Sequence, residues 1–205
     1  RSLCDWSSDV CSSDLVARAR DGAVLDYHPV VDDAPLQIVL YPHPVLGEVA
    51  AEVPVVDDSV RGLAARMIEA MYEADGVGLA APQVGHALRM FVADARESEE
   101  PDPVVFINPE LEISGQMEIA EEGCLSIPEI RVMVRRPVAA RITATGLDGE
   151  RFTIESDGFP ARVWQHEFDH LEGTLITDRM SPRDRLVHRR ALKEMRQSFE
   201  SRGGA

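Results

Sequence analysis

The sequence has little cysteine, a deficit of basic residues and no long apolar run, and each of these deficiencies argues against a class of protein. Only three of the 205 residues are cysteine, and two of them, Cys4 and Cys11, stand near the start. Cysteines in this number and placement do not make a disulfide framework. No apolar run approaches the length of a membrane-spanning helix. The formal net charge of −15 argues against nonspecific binding of nucleic acid over most of the surface.

The hydrophobic content of 44% is enough for the core of one domain, which we assign to residues 36–205. Residues 16–35 are polar and acidic with two prolines, and we expect them to form a flexible N-terminal arm. Residues 1–15 have neither the charged start nor the apolar centre of a signal peptide. We interpret them as a translated sequencing adapter, with a disordered leader as the alternative.

The order of the predicted elements indicates a single α+β domain. Helical periodicity and capping residues predict helices over 57–75, over 158–171 and from Ser181 onward. Between the first two helices the pattern favours β-strands, at 88–93, 104–107, 111–120, 131–134, 139–145 and 152–155. This order predicts antiparallel or mixed sheets around a central helix, with a further helix at the C-terminus. The glycine-rich segment between Gly76 and Gln83 has the composition of a turn after a helix.

The most informative segment is His166-Glu167-Phe168-Asp169-His170. Two histidines four residues apart project from the same face of a helix, where they can share one divalent metal. Glu167, beside the first histidine, can then accept a proton from a water molecule. The alternative is a surface helix that carries two histidines by chance.

A third metal ligand is available in Cys124, the only cysteine in the interior of the chain. Catalytic metal sites usually have three protein ligands and an open position, and Cys124 with His166 and His170 gives that number. A thiolate ligand suits a reducing compartment, so we expect a cytoplasmic protein. The alternative is that Cys124 is a small buried hydrophobic residue.

Two other kinds of metalloprotein share parts of this pattern. A zinc peptidase also has the two histidines and the glutamate but usually takes its third ligand downstream of the helix. The later candidates here are poor, because His188 is the only later histidine and Glu172 is very close to His170. A structural metal domain would need a fourth protein ligand, and none is evident.

Three segments, taken in order, closely resemble the peptide deformylase family: Gly76 to Gln83, Glu121 to Ser126 and Gln165 to His170. The resemblance extends from about Leu36 to Arg196. It implies removal of the formyl group from the N-terminal formylmethionine of new polypeptides. It also implies one divalent metal per chain, natively Fe²⁺, with Zn²⁺, Ni²⁺ or Co²⁺ as alternatives. We expect a monomer without membrane attachment.

The resemblance also implies roles for individual residues. Cys124, His166 and His170 bind the metal, and Glu167 transfers the proton. The side-chain amide of Gln83 and the backbone N–H of Leu125 stabilise the developing oxyanion.

The substrate would be held by residues around this centre. Phe159 and Val163 share the helix face of His166 and are candidates for the methionine slot, with Val77 on the other side. The backbone of Gly78 and Gly123 is expected to pair with an extended peptide. Further candidates are Arg131, which matches a family arginine near the groove entrance, and Arg162, which we expect to narrow or charge the slot.

The C-terminal helix, predicted over 181–200, is basic although the chain is acidic. Between Arg183 and Arg202 stand seven basic and three acidic residues. Basic residues recur at helical spacing from Arg189 to Arg196 and predict a continuous basic face. The family resemblance leads to the hypothesis that this face contacts ribosomal RNA near the peptide exit. The alternative is a solvated helix.

Overall fold

A computed structural model of the chain describes residues 35–95 and 100–203. The interpretations of residues 1–15 and of nearly all of the arm at 16–35 lie outside this range. Within it, strands and helices form an α+β fold, as the sequence predicts.

One sheet of five strands organises the fold, and every neighbouring pair of its strands is antiparallel. The strands follow one another across the sheet in chain order: β1 (Gly78–Ala80), β2 (Met90–Ala93), β3 (Val104–Cys124), β4 (Ile127–Thr145) and β5 (Arg151–Asp157). β3 and β4 are much longer than their neighbours. β2 pairs only with 104–107 of β3, and β5 only with 139–145 of β4. The rest of the β3–β4 hairpin therefore extends as a two-stranded ribbon.

Four helices accompany the sheet: α1 (Asp58–Glu73), α2 (Phe159–Leu171), α3 (Ile176–Arg179) and α4 (Pro182–Ser201). The predicted N-caps are in place for two of them. The Asp57 carboxylate accepts hydrogen bonds from the N–H groups of Ser59 and Val60. Ser181 Oγ accepts one from Asp184 N–H. These caps pair backbone donors that the first turn of a helix leaves unsatisfied.

Several predicted element boundaries are wrong because pairing between strands overrides local composition. The strands predicted at 104–107 and 111–120 are one strand, whose register shifts between Ile107 and Glu110. The two predicted across 131–145 are also one strand. The glycine-rich segment is not only a turn, since Gly78–Ala80 pairs with β2 to form β1. The pattern gave no sign of the four-residue helix α3.

α1 and α2 pack against opposite faces of the sheet. Met90 and Val92 of β2 face the cluster built on α1, whereas Phe91 and Ala93 face the cluster built on α2. Alternate side chains of a strand point to opposite faces, so a strand buried on both sides is apolar throughout. α2 is thus held against the sheet along its length and gives the functional side chains a rigid base.

α4 lies on the surface and contains no buried residue. It packs through the half-buried Leu192 and Met195, and Arg196 donates hydrogen bonds to the Tyr41 hydroxyl. Arg190 pairs with Glu194 at 2.8 Å. Arg189, Lys193 and Arg196 are exposed on this helix, and Arg196 keeps its charge while it holds the helix to the domain. None of the described helices combines the length and hydrophobicity needed to cross a membrane.

Candidate active site

Three side chains of α2 converge at one end of the sheet. α2 begins after Gly158, whose φ of 75° lies in the left-handed region that glycine adopts without strain. His166 and His170 are one turn apart, with ring centroids 5.1 Å apart. Glu167 lies beside them and is buried. The helix therefore presents two imidazoles and a carboxylate to the same region.

Cys124, the last residue of β3, completes a possible metal site. Its Sγ lies 3.3 Å from His170 Nε2, and the ligand atoms of Cys124, His166 and His170 all lie within 4.8 Å of one another. A thiolate and two imidazoles form a donor set that suits several divalent transition metals. These three residues could therefore hold one cation.

Glu167 is a buried carboxyl group next to these three residues. Its Oε2 is buried and has no hydrogen-bond partner in the described part of the chain. Burial raises the pKa of Glu167 to about 7, although the positive charges of His166 and Arg136 oppose the rise. Gly78 permits this placement, because a Cβ at that position would lie only 2.7 Å from Glu167 Cδ. A carboxyl group with a pKa near neutrality can both accept and return a proton.

The two histidines differ in their electrostatic surroundings. Burial lowers the pKa of His170 well below its ordinary value and favours the neutral ring that a metal requires. Burial also opposes the charged form of His166, but hydrogen bonding with Cys124 and Glu122 outweighs it and raises the pKa of His166 well above its ordinary value. A cation and a proton therefore compete for His166, so metal binding is expected to release protons.

Glu122 orients His166 from the side of the ring that is directed away from Cys124 and His170. Its Oε2 lies 3.1 Å from His166 Nδ1, so Nδ1–H donates to the carboxylate and Nε2 is left to face Cys124 and His170. Two hydrogen bonds from Arg136, of 2.7 and 2.9 Å, hold Glu122 in turn. Burial by itself would raise the pKa of Glu122, but the bonds from His166 and Arg136 hold it well below its usual range. A carboxylate in this position fixes the tautomer and the orientation of a ligand histidine.

The network continues to the far side of α2. Arg136 Nη1 donates to Asp169 Oδ2 at 2.8 Å, and Arg179 binds the same carboxylate. Sequence reasoning missed Glu122, Arg136 and Asp169 as functional candidates. Glu122 and Asp169 stand within the segments that were singled out, next to Gly123 and His170. Nothing local to Arg136 marks it, because only the β3–β4 pairing brings it beside Glu122.

Gln83 lies on a 3₁₀ turn (Ala81–Val84) after β1, and its amide has a defined orientation. Its Oε1 accepts a hydrogen bond of 2.8 Å from Ala80 N–H, so its Nε2 is directed at Ser126 Oγ and Cys124 Sγ, at 3.3 and 3.5 Å. Leu125 follows Cys124 in the turn before β4, and its backbone N–H donates to no group in the described part of the chain. Two donors thus lie next to the Cys124 sulfur.

A cavity of about 470 Å³ lies over this group. It is lined by every predicted site residue except His170, which is buried beneath it: Val77, Gly78, Gln83, Gly123, Cys124, Leu125, Arg131, Phe159, Val163, His166 and Glu167. Val163 is buried, whereas Phe159 is exposed and forms part of the rim.

Arg162 also lines the cavity, but its charge is held against the wall. Its guanidinium donates to Glu122 Oε1 at 2.7 Å and to the carbonyl oxygens of Val134 and Glu118. Arg162 therefore narrows the slot without leaving an unpaired charge in it.

The downstream ligands that a zinc peptidase would use lie elsewhere. Glu172 forms an ion pair of 2.7 Å with Arg89. His188 lies on α4, in a groove between that helix and residues 37–43. Neither residue reaches the Cys124 group.

Comparison with known proteins gives a consistent result. The family model described as polypeptide deformylase matches residues 35–186. A peptide deformylase of Thermotoga neapolitana is 47% identical over 163 residues, which cover 79% of this chain and 97% of the relative. The crystal structure of the Thermotoga maritima peptide deformylase, 47% identical, superposes with a TM-score of 0.69 over 73% of this chain and 99% of its own. The crystal structure of Arabidopsis thaliana peptide deformylase 1B in complex with an inhibitor is 37% identical in sequence. It superposes with a TM-score of 0.78 over 82% of this chain and 94% of its own.

Proposed function

The chain belongs to the peptide deformylase family, and from this premise we propose how its own residues remove the formyl group from N-formylmethionyl peptides. The observation that carries the proposal is the placement of Glu167, Gln83 and the Cys124–His166–His170 group around one cavity. Each residue is assigned the step that its surroundings allow.

We propose that Cys124, His166 and His170 hold one divalent cation, natively Fe²⁺, with Zn²⁺, Ni²⁺ or Co²⁺ as alternatives. When bound, such a cation supplies Lewis-acid chemistry, acidifying a water molecule and polarising a carbonyl oxygen. Glu122 supports the site by keeping Nδ1 of His166 protonated and directed away from it.

Glu167 moves the proton. Its unpartnered Oε2 accepts a proton from the attacking water and later delivers it to the departing amine. Gln83 Nε2 and Leu125 N–H donate to the oxygen on which negative charge develops. Both donors are fixed before the substrate arrives, so little reorganisation is needed during the reaction.

The methionine side chain enters the slot between Val77 and Val163, and Phe159 covers its rim. The backbone of Gly78 and Gly123 pairs with the extended peptide, because each lies on a strand that borders the cavity. Arg131 lies over Gly123 at the entrance, with its Nη1 only 3.2 Å from where a Cβ of Gly123 would be.

The experiment measures the hydrolysis of formyl-Met-Ala-Ser by protein that has been loaded with Fe²⁺ in the absence of oxygen. The reaction is monitored through the appearance of the free amine. Casein is offered in parallel, and chelator-treated protein is the control. We expect metal-dependent deformylation and intact casein. Cleavage of casein without deformylation would instead support a peptidase.

We further propose that the protein acts in the cytoplasm as a monomer and that α4 contacts ribosomal RNA. Arg183, Arg189 and Lys193, the basic trio, are exposed and have no ion-pair or hydrogen-bond partner in the described part of the chain. They are thus available for phosphate contacts, which weaken as salt rises.

Replacing the basic trio with glutamine is expected to weaken salt-sensitive ribosome binding and leave hydrolysis of the short peptide unchanged. The matched control replaces three exposed arginines that lie outside α4, Arg61, Arg141 and Arg151, with glutamine. Equal ribosome affinity for both variants at low salt would rule out docking through α4.

A further inference from the structure

The cavity opens onto one edge of β3, of which the proposed function uses only Gly123. β3 pairs with β2 only through Val104–Ile107, and its other partner, β4, occupies the opposite edge. From Glu110 to Gly123, one edge of β3 therefore has no strand partner among the described residues. An unpaired edge presents N–H and C=O groups that can bind an extended peptide.

The outward face of this ribbon combines exposed apolar and charged side chains next to the cavity. Successive cross-strand pairs on this face are Gly123–Arg131, Glu121–Met133 and Ile119–Arg135, while Glu122 and Val134 point inward. Ile119 is 58% exposed, and Met133 is 49% exposed. Because Gly123 and Arg131 also line the cavity, the exposed face is continuous with it.

Two cations accompany the apolar side chains. Arg131 and Arg135 are exposed, and neither has an ion-pair partner in the described part of the chain. Contiguous exposed apolar side chains in a soluble protein commonly mark a binding surface. Glu121 carries the opposite charge between the two arginines, so an acidic ligand side chain is favoured only next to Arg135, opposite Ile119.

The proposed function fixes the direction in which a peptide would leave the cavity. The formyl oxygen lies at Leu125 N–H, and the backbone that follows pairs with Gly123, two residues earlier in β3. The peptide therefore runs antiparallel to β3, toward Glu121 and then Ile119. Antiparallel strands pair residue for residue. If the second residue of the substrate lies opposite Gly123, its fourth and sixth residues lie opposite Glu121 and Ile119.

We propose that the free edge of β3 and its outward face, from Glu121 to Ile119, bind the fourth to sixth residues of the emerging polypeptide as an added strand. This inference rests on the proposed function and extends it beyond the residues next to the formyl group. An apolar or acidic side chain opposite Ile119 is favoured, through contact with Ile119 and Met133 and the charge of Arg135, whereas the Glu121 carboxylate disfavours an acidic side chain opposite itself.

The test compares a formylated tripeptide, formyl-Met-Ala-Ser, with hexapeptides that carry alanine at the fourth position and either leucine or lysine at the sixth. We expect kcat/KM for the leucine hexapeptide to exceed that for the tripeptide by about fivefold, through a lower KM, which corresponds to partial burial of one apolar side chain. The lysine hexapeptide should show no such gain. In an added strand, only alternate main-chain N–H groups of the peptide point toward β3. N-methylation at one of two adjacent positions, the fourth or the fifth, should therefore remove the gain, and N-methylation at the other should not.

Ile119→Asp and Met133→Asp should abolish the gain of the leucine hexapeptide and leave the tripeptide unchanged. The matched control is Ile113→Asp, because Ile113 is 53% exposed on the same strand but pairs with Ala140, outside the segment from Ile119 to Gly123. Equal gains in Ile119→Asp and Ile113→Asp, or no gain in the wild type, would overturn the proposal.

Two other results would also overturn it. If Arg135→Gln weakens salt-sensitive ribosome binding while Ile119→Asp leaves all peptides unaffected, the ribbon is an RNA-binding surface. If the metal-loaded wild type does not hydrolyse the tripeptide, the proposed function itself fails. That result is obtained before the tripeptide is compared with the hexapeptides, so the two failures can be distinguished.

Discussion

Replacing Glu122 with glutamine tests whether the buried charges behind α2 support the metal site. In the wild type, the Glu122 carboxylate receives hydrogen bonds from His166, Arg136 and Arg162. Glutamine has nearly the same shape but carries no charge, and one of its two ends is a donor. At either end that donor faces Arg136, which also donates, together with Arg162 or His166.

The magnitude follows from the burial of Arg136, which is only 3% exposed. Breaking a buried ion pair by removing one partner costs about 3–5 kcal/mol, because the other charge stays buried. Asp169 still pairs with Arg136, so we expect the lower end of this range. For a domain of this size, a loss of about 3 kcal/mol lowers the melting temperature by roughly 6–12 °C. Loss of the partner of a ligand histidine lowers metal affinity by about 10–100-fold.

The two effects are measured separately. Thermal unfolding is followed in the presence of a chelator, because bound metal would itself stabilise the fold. Metal affinity is measured by competition with a coloured chelator at a temperature where both proteins are folded. The control is Glu112→Gln, an exposed glutamate on the same strand. A Glu122→Gln protein with the melting temperature and metal affinity of Glu112→Gln would refute the role assigned to the network.

Three further predictions concern the site and the start of the chain. Glu167→Gln should retain the metal and lose about 10²–10⁴-fold in turnover, since an amide cannot accept the proton; wild-type turnover by the metal-loaded variant would contradict this. Gly78→Ala should also reduce turnover, because the new methyl group displaces the Glu167 carboxylate, while Cys124 and both histidines still bind metal. Metal content and kinetics are measured on the same sample, and an unchanged kcat would show that the carboxylate can move aside without loss of activity. Deleting residues 1–15 should change neither the melting temperature nor activity, and a fall of several degrees would show that the segment belongs to the fold.

The helical part of the site could be predicted from the sequence because helix geometry is local. The spacing of His166 and His170 places both rings on one face wherever the helix lies. The caps at Asp57 and Ser181 are equally local, and both helices begin where these residues stand. The same holds for the order of the elements, which indicated an α+β domain.

Long-range pairing was beyond the reach of local patterns. Gly78–Ala80 has a composition typical of a turn and becomes a strand only because β2 lies beside it. Arg136 is one of several arginines in β4, and nothing in its neighbours distinguishes it from the exposed Arg135. The hairpin register places Arg136 inward, opposite Glu118 and beneath Glu122, and so makes it the partner of two buried carboxylates.

The sequence by itself determined the chemical groups of this protein: a thiol, two imidazoles one helical turn apart, a carboxylate beside them and an amide in a glycine-rich segment. The tertiary structure decided which atoms of these groups face one another. It orients the Gln83 amide through Ala80, brings Glu167 against Gly78 and aims His166 through Glu122. The physical reason is that periodicity and capping act over a few residues, whereas these contacts join strands and a helix that are tens of residues apart and depend on how the sheet packs against α2.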